Sequence, residues 1–476
     1  MSFCFVDQSN INNKKERKRI RSHVMKGKNV GKKRPKNEQH VESTVDKSIV
    51  LFGTGVGNQS ASVTSWRCES SILAVTRQIA NDLTLLSFTR GIASPTMFHI
   101  AQMSSYILDV ASPPEFCKSI GVTGWMWFQL TFYNEAYFHC TVAIASACAA
   151  FLTEDSYHSP VALRHMSEAY RLVNKTLSSN EPLSDTTIAV VSAINIYDRL
   201  YGDPQQAMIH LNGLVGLIRL SGGISELAKR NIVIAEKAFR SDIELALSCG
   251  SKPKFSSEDV PRHLVLTDSR GCPEPPKAGE AELAESILYQ SVSPELSEVV
   301  LDILRFSCIL DQASRAHKLD SVAYQCTLFY VGYRLLEIKP RHCGSGAGTS
   351  LDTLVHLAMI GFLNTFCFGV GRKIMIFPFV VERFRSIAQT ISEDNAPRLM
   401  VVFWALLMGK VSALTRDDDS WLVPKLKTLA GALGLRTWPQ VSRALRAFPW
   451  VEAAHGAKGQ EFWDTKLAQA VPLDPI

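Results

Sequence analysis

The sequence has no two cysteines at C-x2-C spacing, although its 476 residues include 11 Cys. Because closely spaced thiolates are typical ligands of structural zinc, this pattern predicts no metal site and no bound cofactor. The cysteines are scattered, and most lie in apolar surroundings, as at Cys140, Cys148, Cys308 and Cys367. We interpret them as buried free thiols in a reducing compartment.

Long apolar runs are also scarce. The longest lie near residues 138–151 and 399–409; the first contains His139 and Thr141, and Lys410 ends the second. Neither reaches the roughly 18–20 residues that a membrane-spanning helix needs. The N-terminus also lacks the apolar segment of a secretory signal. We therefore expect no membrane partner.

Enzyme motifs are missing as well. Two glycine-rich segments, Gly53–Gly57 and Gly344–Gly348, lack the Lys-Ser/Thr pair of a phosphate-binding P-loop. Neither lies between a strand pattern and a helix pattern, as dinucleotide binding would require. The sequence contains neither H-E-x-x-H nor G-x-S-x-G. We interpret the glycine segments as flexible loops and expect no catalytic residues.

Acidic residues are nearly absent from one end of the chain. Between Lys14 and Lys36 there are 12 Lys and Arg residues and a single acid, Glu16. The whole chain has 51 basic and 45 acidic residues, a net charge of +6. Residues 1–40 carry +9, which leaves about −3 for the other 436 residues. A disordered basic arm of this kind is typical of a ligand for a polyanion or for the nuclear import machinery.

The arm contains two clusters with different predicted roles. Six cations surround the apolar i,i+4 pair Ile20 and Val24, where a short helix could form on DNA phosphates without reading bases: Lys14, Lys15, Arg17, Lys18, Arg19 and Arg21. The second cluster has the composition of a nuclear localisation signal: Lys32, Lys33, Arg34 and Lys36. Three interpretations stay open, namely import alone, import with DNA contact, and a merely solubilising tail.

Helical periodicity with clear start and stop signals fills most of the body. Ser159 and Pro160 predict a helix start, and one face of that helix should carry Leu163, Met166, Tyr170, Val173 and Leu177. Ser184 and Asp185 predict the next start, with apolar positions at Ile188, Val191, Ile194 and Tyr197. A third helix should begin with Asp203, Pro204 and Gln206 in a capping box and run to Ser221, before a left-handed stop at Gly222 and Gly223.

We predict an all-α, multi-helix regulatory domain behind the disordered arm, since no run of short alternating strands and no repeat is found. The predicted boundaries are an arm at 1–40, a linker at 41–65, a first helical part at 66–250, a Pro-rich loop at 251–297 and a second helical part at 298–476.

Three further features have structural interpretations. Asp417, Asp418 and Asp419 are interpreted as acids at a helix N-terminus, with a metal site as the weaker alternative. His210 is interpreted as a packed, hydrogen-bonded histidine. Four tryptophans lie close together near the C-terminus and are interpreted as core anchors in preference to a ligand cage: Trp421, Trp438, Trp450 and Trp463.

Motifs in the head and the body resemble the fungal-specific transcription factor domain family. The head has Phe5-Val6-Asp7 and then Ile20-Arg21-Ser22-His23-Val24-Met25, similar to the opening of many fungal proteins with this domain. The body has His210 to Leu214, Ile218-Arg219 and Gly222-Gly223, followed by Lys237, Arg240 and Asp242 in a K-x-x-R-x-D stretch. The tail has Asp417–Leu422, Trp438, Phe448-Pro449-Trp450 and Trp463. The family tends to place an Arg beside the paired glycines, whereas here Leu220 and Ser221 separate them from Arg219.

The resemblance implies a nuclear regulator of transcription, with a pathway-specific role such as control of a secondary-metabolite gene cluster. Many such regulators carry a binuclear zinc cluster held by six thiolates, and the cysteine spacing here predicts that it is missing. The expected partners are DNA, through non-specific contacts of the arm, importin and other transcription proteins, and a homodimer stays open. The alternative is a transcriptional cofactor or interaction scaffold that does not bind DNA directly.

Overall fold

The computed structural model describes residues 94–118, 129–153, 159–179, 183–200, 203–266, 286–288, 291–338, 347–367, 378–391 and 396–468. Across these ranges the chain is helical, and its only extended pairing is an isolated parallel bridge between Cys117 and Leu319. The prediction of an all-α body is therefore confirmed. The basic arm and the linker lie outside the described residues, as do Gly53–Gly57 and 344–346.

The helices of the first half are α1 (Ser94–Ala111), α2 (Glu135–Thr153), α3 (Pro160–Leu177), α4 (Asp185–Leu200), α5 (Pro204–Leu220), α6 (Ile224–Arg230) and α7 (Ile232–Cys249). Those of the second half are α8 (Pro294–Arg315), α9 (Ser321–Glu337), α10 (Ala347–Cys367), α11 (Pro378–Thr390), α12 (Ala396–Ser412), α13 (Asp419–Ala432), α14 (Trp438–Leu445) and α15 (Ala457–Phe462). Helix α2 packs on α3 and α4, and α7 lies against α4, α5 and α9.

The start of α3 was predicted correctly, but part of its buried face was not. The Ser159 side chain accepts a hydrogen bond from the Ala162 backbone N–H, and Pro160 occupies the first helical position. Leu163 and Leu177 are 51% and 46% exposed, however. The buried stripe runs through Ala162, Met166, Ala169 and Val173. Small alanines let the neighbouring helix approach closely, so the buried face lies beside the one that the larger side chains indicate.

Helix α5 begins and ends where the sequence predicts. The Asp203 side chain accepts a hydrogen bond from the Gln206 N–H at 3.0 Å. The Gln206 side chain lies 3.5 Å from His210 Nε2, so only the forward half of the expected capping box forms. Gly222 and Gly223 have φ values of +102° and +93°, which side chains with a Cβ rarely adopt. They end the helix as expected.

Helix α10 lies within the predicted second helical part, but the sequence interpretation did not count it among the longest apolar segments. Its segment Ser350–Cys367 is long and apolar enough to cross a membrane by length and composition alone. In the fold, 78% of this segment is buried against other helices. Phe362 and Phe366 are fully buried within it. Such burial is what the central helix of a packed protein shows.

Our first prediction concerns the packing of α5. Leu211 and Leu214 are 1% and 0% exposed, whereas Leu220 on the same helix is 82% exposed. Leu211→Ala or Leu214→Ala should lower the free energy of unfolding by about 2–5 kcal/mol, because each leaves a cavity. Asp203→Ala should cost ~1 kcal/mol through the lost cap. Denaturant melts measure these values, with Leu220→Ala as the matched control; equal effects of all three Leu substitutions would contradict the packing.

Candidate functional site

The residues predicted to contact DNA phosphates and the predicted nuclear localisation signal lie outside the described residues. Their roles therefore stay predictions. Within the helical body, two charged side chains of α7, one of α4 and an amide of α9 form an internal network that the sequence interpretation identified only in part. We call this network, made of Arg199, Arg240, Glu244 and Gln325, the polar centre.

Arg240 connects α7 to three other helices. Its Nη1 donates to the backbone oxygen of Cys367 at 2.5 Å, at the end of α10. Its Nη2 donates to Oε1 of Gln325 on α9 at 2.6 Å. The Gln325 amide nitrogen donates in turn to the backbone oxygen of Ala111, the last residue of α1. One guanidinium thus fixes the positions of α7, α9 and α10 and, through Gln325, of α1.

Arg199 brings α4 into the same network. It forms an ion pair with Glu244, and the two side chains are only 10% and 9% exposed. Arg240 Nη1 approaches the other oxygen of Glu244 at 3.4 Å. Burial lowers the pKa of Arg199 to about 9, and the positive charge of Arg240 acts in the same direction. Both guanidinium groups therefore share the carboxylate of Glu244, and removing that carboxylate would leave two largely buried cations without their direct ionic partner.

Burial also shifts the pKa values of two neighbouring residues on α7. Burial raises the pKa of Glu236 to about 8, although Arg240 and Lys237 oppose the shift. Burial lowers the pKa of Lys237 well below its ordinary value, and Arg240 lowers it further. Both shifts favour the neutral forms near pH 7, because charge is expensive to hold away from water.

Asp242 holds the chain that leaves α7. Its carboxylate accepts hydrogen bonds from the backbone N–H groups of Lys254 at 2.8 Å and Phe255 at 2.9 Å, and from the Tyr333 hydroxyl at 3.1 Å. Burial raises the pKa of Asp242 to about 6, even though these donors oppose the shift. The K-x-x-R-x-D stretch thus makes two separate sets of contacts. Arg240 joins α7 to α9 and α10, and Asp242 joins α7 to the segment that follows it.

The three features with structural interpretations appear as expected. His210 Nδ1 lies 2.5 Å from Asp198 Oδ2, and its ring stacks on Tyr170. Asp417–Asp419 lead into α13, where Asp418 accepts hydrogen bonds from Arg385 at 2.6 Å and from the Trp421 indole at 3.1 Å. Three of the four tryptophans are buried, and Trp421 is half-buried: Trp438, Trp450 and Trp463 are 8%, 6% and 3% exposed.

The sequence interpretation missed three of the four members of the polar centre. Arg199, Glu244 and Gln325 carry no recognised motif. One signal was present, because Glu244 follows Arg240 by four residues within an apolar helical pattern. Opposite charges at that spacing on a helix can form a pair. No neighbouring residue in the sequence indicates that Arg199 or Gln325 belongs to the polar centre, since they lie 45 and 81 residues from Glu244.

The geometry describes a helical body in which Arg199, Arg240 and Glu244 hold helices together. A sequence model of the fungal specific transcription factor domain matches the chain over residues 125–315. This segment is therefore similar to that domain, and the match supports a role in transcription regulation. The matched segment extends from shortly before α2 to the last residue of α8. Neither a curated protein nor a solved structure matches the chain.

The matched segment accounts for part of the resemblance seen in the sequence. His210, Lys237, Arg240 and Asp242 lie inside it. The head motif and the tryptophan-rich tail lie outside it, so their assignment to the family stays a prediction.

Our second prediction concerns the pH dependence that Asp242 imposes. Its pKa rises from an ordinary 3.8 to about 6 on folding, so between these values the folded chain holds a proton that the unfolded chain has lost. The free energy of unfolding therefore falls as the pH rises through this window. Relative to Asp242→Asn, the wild type should lose roughly 2 kcal/mol between about pH 4 and about pH 7.

Denaturant melts of both proteins across this range measure the difference. The exposed residue Asp464 supplies the control, since Asp464→Asn should give the same pH profile as the wild type. A constant difference between the wild type and Asp242→Asn would show that this carboxyl does not titrate differently in the folded protein.

Proposed function

We propose that the protein is a nuclear, pathway-specific regulator of transcription that works without a binuclear zinc cluster and without catalysis. The observation that carries this proposal is the charge separation in the sequence, with +9 on residues 1–40 and about −3 on the rest. A body with a fungal specific transcription factor domain and a net negative charge has little general affinity for DNA. The arm is the part of the chain suited to polyanions.

The first step is entry into the nucleus through the arm. Four clustered cations fit an acidic groove of an import receptor such as importin: Lys32, Lys33, Arg34 and Lys36. The first cluster, at residues 14–21, supplies further positive charge close by. Import by this route needs no contact with the helical body.

Our third prediction tests this route. Replacing Lys32, Lys33, Arg34 and Lys36 with Ala should leave a fluorescent fusion of the full chain in the cytoplasm, because the receptor loses its charged contacts. A charge-matched control replaces four exposed cations of the body: Arg164, Lys175, Arg219 and Arg443. The control should stay nuclear. If the four-residue variant stays nuclear, and also does so after deletion of residues 14–21, the arm does not direct import.

The second step is contact with DNA phosphates by the first cluster. Lys14, Lys15, Arg17, Lys18, Arg19 and Arg21 give six cations within eight residues. Such contacts add affinity for any duplex and carry no sequence information. Sequence preference, where the regulator has one, would then come from partner proteins bound to the helical body.

Our fourth prediction is that binding of the full chain to DNA is electrostatic. With about six phosphates neutralised, log affinity should fall with log salt at a slope of about −5, and scrambled duplexes should bind nearly as well. Deleting residues 1–40 should abolish binding, and replacing the six cations with Gln should weaken it and reduce the salt slope. Fluorescence anisotropy at several salt concentrations measures this, with the four-residue body variant as the control.

Two other results would change the proposal. Binding with strong sequence preference that survives deletion of the arm would assign DNA reading to the helical body. A full chain that does not bind DNA at low salt would instead be a transcriptional cofactor or scaffold, with another protein supplying the DNA contact.

A further inference from the structure

Two histidines from neighbouring helices meet at the contact between α2 and α3. His139 lies on α2 and His165 on α3, and their Nδ1 atoms are 2.7 Å apart. The ring centroids are 4.9 Å apart, and the ring planes are inclined by 42°. Both side chains are half-buried. Two ring nitrogens at this distance share a proton when their tautomers differ, or they bind one ion between them.

Two carboxylates complete this group. Glu135 precedes His139 by four residues on α2, and Glu168 follows His165 by three on α3, so each carboxylate lies on the same helix face as a histidine. Glu135, His139 and Glu168 each offer a ligand atom, and these three atoms lie within 4.8 Å of one another. His165 adjoins this group through His139, because its Nδ1 lies 2.7 Å from Nδ1 of His139.

The donor types of this group favour metal binding. Neutral imidazole nitrogen and anionic carboxylate oxygen are common ligands of zinc in proteins.

Arg171 orients one carboxylate of the group. Its Nε lies 2.9 Å from Oε1 and 3.0 Å from Oε2 of Glu168, one turn away on α3. A carboxylate has about four acceptor positions, so Glu168 can hold Arg171 and still offer an oxygen to an ion. A fixed outer partner of this kind is common beside metal ligands.

We propose that Glu135, His139, His165 and Glu168 form a binding site for one divalent transition-metal ion of the zinc class. Four ligands at about 2.0–2.2 Å from a tetrahedral ion lie roughly 3.4 Å from one another. The two ring nitrogens would have to separate slightly, and the carboxylates would have to move inward by rotation of their side chains. Imidazole ligands select against magnesium and calcium, which prefer oxygen alone.

This site is independent of the binuclear zinc cluster that the cysteine spacing excludes. The sequence interpretation considered thiolates, H-E-x-x-H and Asp417–Asp419 as possible metal ligands, and none of these takes part here. A bound ion would join α2 to α3 at the start of the segment that matches the family. The proposal goes beyond transcription regulation and DNA contact, and its failure would leave both untouched.

The experiment uses the full chain after removal of metal with a chelator. Zn²⁺ is added in a calorimetric titration, and Co²⁺ serves as an optical probe of coordination. We expect the wild type to bind one more Zn²⁺ per chain than the variants His139→Ala and His165→Ala do, or to bind it at least about tenfold more tightly. Zn²⁺ should also raise the melting temperature of the wild type more than that of either variant.

Two further variants separate metal binding from folding. Glu135 is exposed at the first position of α2, so Glu135→Gln should keep the fold and still weaken Zn²⁺ binding. His263 is an exposed histidine distant in sequence, and His263→Ala should bind like the wild type. Far-UV circular dichroism without metal verifies that all four variants are folded.

The proposal is overturned if the metal-free wild type takes up no Zn²⁺ at tens of micromolar. It is also overturned if Zn²⁺ binds equally well to the wild type and to folded His139→Ala, His165→Ala and Glu135→Gln, because binding would then lie elsewhere in the chain.

Discussion

A single largely buried guanidinium, that of Arg240, joins helices that are distant in sequence. A charge placed away from water costs several kcal/mol unless its donors find acceptors. Arg240 finds these acceptors in a backbone oxygen at the end of α10 and in a side-chain oxygen of α9. Both helices lie far from α7 in the sequence. Each acceptor must be at hydrogen-bond distance, so the helices have little freedom to slide. The apolar core supplies most of the stability, and Arg240 selects one arrangement of it.

Helix α7 fixes the positions of several other helices because three of its polar side chains, Arg240, Asp242 and Glu244, lie close together along it. Arg240 faces α9 and α10, Glu244 balances Arg199 of α4, and Asp242 fixes the segment that follows the helix. Asp242 and Tyr333 also join α7 to α9 at a second point. A change in the protonation or position of any one of these groups would therefore be felt in several helices.

The sequence was sufficient to predict helix starts and stops, because these depend on contacts within a few residues. Ser159 and Asp203 each act on a backbone N–H three residues away, and the paired glycines after α5 need only their own conformations. Helix starts and stops, and with them the all-α class, could therefore be predicted. The face of α3 could not, because Leu163 and Ala162 are distinguished only by which side α2 approaches.

The contacts that define the candidate sites could not be predicted from the sequence, because they join residues of different helices. Arg199 meets Glu244 across 45 residues, and His139 meets His165 across 26. Periodicity places each residue on a face of its own helix, but it does not say which face of another helix lies opposite. In the sequence, a buried charge is recognised only as a charged residue within an apolar helical pattern. Its partner can be identified only from the packing of the helices.

The distribution of charge limits what either part of the chain can do alone. Arm contacts with phosphates raise affinity for every duplex equally, so they cannot select one promoter among the very many competing sites of a genome. In the described body, Arg199 and Arg240 are engaged inside the fold and cannot read base edges. Under the function proposed above, selectivity would come from proteins that bind the helical surface, whether or not the arm touches DNA. The DNA-contacting regulator and the scaffold would then differ in their affinity for DNA, while both would depend on partners to choose a gene.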